Sequence, residues 1–125
     1  MSLSVRSLAS GSTANSLLVT SPEAVVAIDI GISSTRFLEL LAQDNLSPGQ
    51  LTAICLTHEH GDHIRGAVIV AELLQVPLVC NAATYQALGI PGLPWLELPT
   101  GGSLQLGDFR LTSFAVSHDA AEPVG

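Results

Sequence analysis

Apolar and polar positions follow two rhythms along this chain. Short runs rich in β-branched residues recur over Val5–Ala9, Ser16–Thr20 and Ala24–Ile30, separated by the polar turns "SGSTAN" and "SPE". Such runs predict three successive strands, and strands joined by turns this short predict an antiparallel meander. The rhythm then lengthens. In "SSTRFLELLAQDN" Phe37, Leu38, Leu40 and Leu41 fall on one helical stripe behind Ser33 or Ser34 as caps, and Pro48 and Gly49 mark the turn that follows. The continuously apolar "LTAICLT", ending at Thr57, reads as a strand covered on both faces. Beyond it, Ile64–Leu74 predicts a helix and Val76–Cys80 a strand. Ala82–Leu88 predicts a short helix capped by Asn81 and stopped by Gly89, after which Pro91 and Pro94 enforce a loop. The last stretch reads as a hairpin: "SLQL", a Gly107-Asp108 turn, then Phe109–Val116 leading to His118.

This alternation predicts an α/β (α+β) fold, and residues 1–125 are enough for one domain. With 47% hydrophobic and 12% charged residues the chain can bury a core. A formal net charge of −7 is the opposite of the basic footprint that holds polyanions by charge alone, so a nucleic-acid substrate would need metal ions or a basic region elsewhere. Cys55 and Cys80 both lie in apolar runs, which points to small core residues instead of a disulfide and to a reducing compartment. The N-terminus has no sustained apolar stretch of the signal-peptide kind. No run approaches the roughly 20 residues that span a bilayer, so the expected location is cytoplasmic and no membrane partner is expected.

The segment "LTHEHGDHIRGA" places three of the four histidines and an aspartate within six residues. In an extended segment alternate side chains share a side, so His58 and His60 can reach one metal ion while Glu59 faces away. Gly61 permits a sharp turn, after which Asp62 and His63 stand adjacent at a helix start and can be aimed at a second ion. Imidazole and carboxylate suit zinc, manganese and iron. A string without thiolates argues against a closed, finger-type zinc site and for an open catalytic one. A bound divalent ion lowers the pKa of its water from about 15.7 to about 7, and two ions roughly 3.5–4 Å apart can stabilise both attacking and leaving oxygens. The chemistry implied is hydrolysis by a metal-held hydroxide. A histidine taken singly is ordinarily a surface or hydrogen-bonded core residue, but that bland account would have to hold for each member of the string at once.

The string "THEHGDH" after an apolar strand resembles the His-x-His-x-Asp-His signature of the metallo-β-lactamase-fold hydrolases. Together with "SLASGSTANSLLV", "AIDIG" and "SFAVSHDAAEPVG", it most resembles their YycJ/WalJ-like branch of DNA exonucleases. The resemblance implies that His58, His60 and His118 hold a first metal ion. Asp62 and His63 would serve a second, and Asp62 would also orient the nucleophilic water. Asp29 would support the histidine ligands by hydrogen bonding without binding metal itself, and Ser12 and Asn15 in "SGSTAN" could donate hydrogen bonds to substrate or to the ligand loops. Read alone, Asp29 is equally a strand-terminal turn cap, His118 a structural histidine, and "SGSTAN" an ordinary polar turn.

The family fold is an αββα sandwich of two similar halves, whose second half adds a bridging aspartate and a final histidine. By this resemblance the chain corresponds to the N-terminal half, apparently truncated after the third ligand motif. The expected function of the complete protein is metal-dependent hydrolysis of phosphodiester bonds in DNA with two divalent ions, zinc or manganese. The alternatives are hydrolysis of small esters, thioesters or lactams, and an inactive metal-binding fragment. Half a sandwich should also leave apolar sheet exposed, consistent with a mean hydropathy of +0.47, and so self-associate through it.

Overall fold

A computed structural model describes residues 4–9, 16–57, 61–90 and 92–113. Six strands, β1 (Ser4–Ala9), β2 (Ser16–Thr20), β3 (Val25–Ile28), β4 (Ala53–Cys55), β5 (Leu78–Cys80) and β6 (Trp95–Glu97), form one sheet in sequence order. The first three pair antiparallel as the meander predicts, and β3 to β6 pair parallel. Parallel neighbours need long crossovers. Helices α1 (Ser34–Gln43), α2 (Gly61–Leu74) and α3 (Ala82–Leu88) supply them. A separate two-stranded hairpin, β7 (Ser103–Leu106) and β8 (Phe109–Thr112), completes the described fold.

Register sorts the strand residues onto two faces. Leu18, Ala27, Ile54 and Leu78 pair across the sheet and face the helices, where they join Phe37 and Leu41 of α1 and Ala67, Val70 and Ala71 of α2 in the main core. Val26, Ala53 and Val79 face the opposite way and meet the hairpin through Phe109, Leu106, Leu104 and Leu111. The architecture is therefore a helix layer, a sheet and the hairpin as the start of a further β layer, with apolar contacts on both sheet faces.

The capping signals act as the sequence reading expects. Ser33 caps α1 by accepting the Arg36 N–H, Asn81 caps α3 by accepting the Thr84 N–H, and Gly89 ends α3 in the left-handed region at φ 66°. Helix α2 begins at Gly61, three residues before the predicted start, so Asp62 and His63 lie within its first turn. Strand β6 departs from the sequence reading, which places a loop after Pro91 and Pro94. Its three residues, bounded by Pro94 and Pro99, are ordered by pairing with β5 and by the Trp95 indole N–H donating to the Cys80 carbonyl at 3.1 Å.

Candidate metal centre

Four strand ends converge at one edge of the sheet. Asp29 follows β3, Thr57 follows β4 by two residues, Asn81 follows β5 and Leu98 follows β6. The carboxyl ends of parallel strands are where open α/β sheets ordinarily place ligands. The ladder continues past the formal strands: Asp29 N–H donates to the Cys55 carbonyl at 2.8 Å, Leu56 N–H to Val79 at 2.9 Å and Leu98 N–H to Cys80 at 3.0 Å.

Asp29 is buried and sits at φ 57°, a left-handed conformation that aspartate tolerates better than most residues. Its carboxylate reaches across to the neighbouring strand end. One oxygen accepts the Thr57 backbone N–H at 3.0 Å and the other accepts the Thr57 hydroxyl at 2.6 Å. Its carbonyl accepts the hydroxyl of buried Ser16 at 2.8 Å. A buried carboxylate is tolerable only with such partners, and charge-assisted bonds of this kind are the strong ones. Both oxygens are thus directed at the residue immediately before His58.

A cavity of about 120 Å³ opens between this edge and the hairpin, lined among others by Ile28, Cys55, Thr57, Asn81, Thr112 and Ser113. Thr57 precedes the histidine string and Ser113 stands five residues before His118. Residues close in sequence to both groups of candidate ligands therefore line one cavity. Ser113 is held firmly there: its hydroxyl donates to the Pro99 carbonyl at 2.7 Å and accepts the Gly101 N–H at 3.2 Å, and its own N–H donates to the Gly102 carbonyl at 3.1 Å.

His58, His60, His118, Ser12 and Asn15 lie outside the described residues, and of Asp62 and His63 the structure gives the helical backbone. Among the described residues no three His, Cys, Asp or Glu groups come together as a metal cluster. The described thiols also argue for nitrogen and oxygen donors. Both cysteines are free. Cys55 is pushed up to about 12, by burial first and then by the Asp29 carboxylate and Cys80. Burial likewise pushes Cys80 up to about 12, against a partial lowering by its Trp95 hydrogen bond. Neither supplies a thiolate near neutral pH. The imidazole and carboxylate donors expected of His58, His60, Asp62, His63 and His118 accordingly suit divalent ions of the zinc or manganese kind, with the Asp29 carboxylate engaged by Thr57.

Thr57, Asn81, Thr112 and Ser113 are cavity-lining polar residues that the sequence reading does not single out for a site. Thr57 carries a usable signal, its place next to the histidine string. Asn81 is legible as a helix cap, and nothing in the sequence marks Ser113.

A model of the metallo-beta-lactamase superfamily matches residues 9–117. The chain is 36% identical, over 99% of its length, to exodeoxyribonuclease YycJ of Bacillus anthracis, of which it covers 49%. It is 35% identical, over 93% of its length, to exodeoxyribonuclease WalJ of Streptococcus pneumoniae serotype 2, of which it covers 46%. The chain thus spans about half the length of the curated relatives it matches. In structure it is similar to Rm3 metallo-beta-lactamase, with a TM-score of 0.82 over 96% of this chain and 51% of that one. At 18% identity that likeness concerns the fold alone. With the family match running from the end of β1 through the histidine string to the residue before His118, the chain belongs to the metallo-β-lactamase superfamily.

Proposed function

We propose that this chain is the metal-binding N-terminal portion of a hydrolase that cleaves phosphodiester bonds in DNA as an exonuclease. The carrying observation is the shared cavity whose lining includes Thr57, the residue before His58, and Ser113, five residues before His118. His58, His60 and His118 would hold one divalent ion, zinc or manganese, and Asp62 and His63 a second. When bound, such ions would supply an acidified water and neutralise charge on the phosphate. Asp62 would orient that water, and Asp29 holds Thr57, the residue before His58, by two hydrogen bonds. The choice of DNA rests on likeness to exodeoxyribonuclease YycJ at 36% identity, and likeness to a lactamase at 18% gives no comparable support for lactams. The acidic charge of this portion agrees with a phosphate held chiefly through metal ions, because a chain at −7 repels a polyanion elsewhere on its surface.

The test combines metal content with turnover. Protein loaded with zinc or manganese under chelator-free conditions should carry bound metal by elemental analysis. His60→Ala should lose the metal together with any hydrolysis of linear DNA. Undiminished metal content and turnover in His60→Ala would contradict the assignment.

A further inference from the structure

The hairpin has two unlike faces. Leu104, Leu106, Phe109 and Leu111 turn toward the sheet. The alternate residues, Ser103, Gln105, Arg110 and Thr112, are exposed on the other side. Register sets them in two cross-strand rows, Gln105 opposite Arg110 and Ser103 opposite Thr112. The Gln105 amide donates to the Gly107 carbonyl at 3.0 Å, and the Ser103 and Thr112 hydroxyls share a hydrogen bond at 3.3 Å. Ser103, Leu104, Gln105 and Arg110 line a surface hollow of about 220 Å³. Thr112 links this face to the cavity at the sheet edge, whose lining it joins beside Ser113. At about 3.4 Å per residue, Arg110 lies about 7 Å along β8 from Thr112.

Charge sets this face apart from the rest of the chain. The four basic residues, all arginine, stand against 11 acidic ones. Arg6 is paired with Asp44. Arg110 is in no ion pair among the described residues, and Asp108, the acid nearest to it in sequence, accepts the Ser21 hydroxyl instead. None of the four outward residues is acidic. A polyanion repelled by most of the molecule would therefore meet here a guanidinium whose planar donors match a phosphate, with hydroxyls beside it. Resting on the exonuclease reading above, we infer that the outward face of the hairpin binds the backbone of a DNA strand. Arg110 holds a phosphate of the strand whose end enters the cavity. Contacts of this kind position a strand without reading its sequence.

The test is fluorescence anisotropy of a labelled phosphorothioate oligothymidylate, chosen to resist cleavage, titrated with the manganese-loaded full chain over a range of salt. Arg110→Ala should weaken binding about three- to five-fold at low salt. It should also reduce the slope of log affinity against log salt by about 0.7, the share of one single-strand phosphate. Arg110→Lys keeps the charge and should restore the slope. Gln105→Glu, which sets a carboxylate opposite the guanidinium, should weaken binding as Arg110→Ala does. Arg36→Ala, on exposed helix α1 at the other side of the sheet, should change neither quantity. Unchanged affinity and slope in Arg110→Ala overturn the inference. So does an equal loss in Arg36→Ala, which would mean diffuse attraction, and so does failure of the unsubstituted chain to bind the strand. Metal content and turnover of His60→Ala judge the exonuclease reading separately. If that variant keeps both while Arg110→Ala loses the slope, the strand contact stands and the metal assignment falls.

Discussion

Asp29→Ala removes both acceptors from Thr57 and leaves a β-carbon at φ 57° without the local hydrogen bonds that offset it. Each bond to an ionised group contributes about 1.5–3 kcal/mol, so a loss on the order of 3 kcal/mol is expected in urea unfolding. Asp29→Asn keeps one carbonyl acceptor and a residue at home in the left-handed region, and should lose clearly less. Equal losses would mean that the carboxylate adds nothing specific. The thiols make a second prediction. Unfolded cysteines titrate near 9.0 and the folded ones at about 12, so above pH 9 the unfolded chain releases protons that the folded chain retains. Stability from this source is complete below pH 9 and falls as pH rises from 9 toward 12. Native protein at pH 8 should accordingly react with a thiol reagent far more slowly than protein in denaturant. At this scale the sequence is readable where chemistry is local: the histidine string, the Asn81 cap and the Gly89 stop depend on near neighbours. The pairing of Asp29 with Thr57 is not, because it arises only when β3 and β4 lie side by side in one register.

Helix α2 approaches the sheet closely at Gly66. A β-carbon on Gly66 would lie 2.3 Å from the Ile32 carbonyl oxygen and 2.9 Å from Ile30 Cγ2, so the helix rests directly on the chain that leaves β3. Gly66→Ala gains roughly 1 kcal/mol of helix propensity, yet overpacking against backbone costs about 1–3 kcal/mol and should prevail. A lower thermal midpoint is expected, and an unchanged or raised one would show that α2 can shift freely. Because Asp62 and His63 occupy the first turn of this helix, the same substitution should also weaken metal binding. Long amphipathic elements and the hairpin turn were legible because their periodicity and turn residues act over a few positions. The strands were legible in order but not in length. "LTAICLT" contributes only Ala53–Cys55 to the formal strand, and β6 is invisible between two prolines, because both are defined by what their neighbours offer.

At the scale of the described fold, the sheet face opposite the helices is partly covered. The hairpin covers its centre, where Val26, Ala53 and Val79 meet Phe109, Leu104, Leu106 and Leu111. Apolar side chains remain exposed toward its margins: Val5 at 63%, Leu17 at 38% and Leu96 at 37%. Exposed apolar side chains at both edges of the sheet, β1 with β2 and β6, favour association. The chain is expected to show concentration-dependent mass by light scattering at micromolar concentration, reduced by Leu17→Lys with Leu96→Lys. A monodisperse monomer in the unsubstituted chain would refute this. Among the described residues no helix is long and apolar enough to cross a membrane.

The unbroken order of the sheet, β1 through β6, has a consequence for biosynthesis. Each strand after the first meets a partner that has already left the ribosome, so the sheet can be laid down vectorially, without waiting for distant sequence. The hairpin emerges after the sheet, and with it the segment that leads to His118. The pocket edge formed by Asp29 and Thr57 can therefore form before His118 is made, so an ion that arrived early would meet only part of its candidate ligand set.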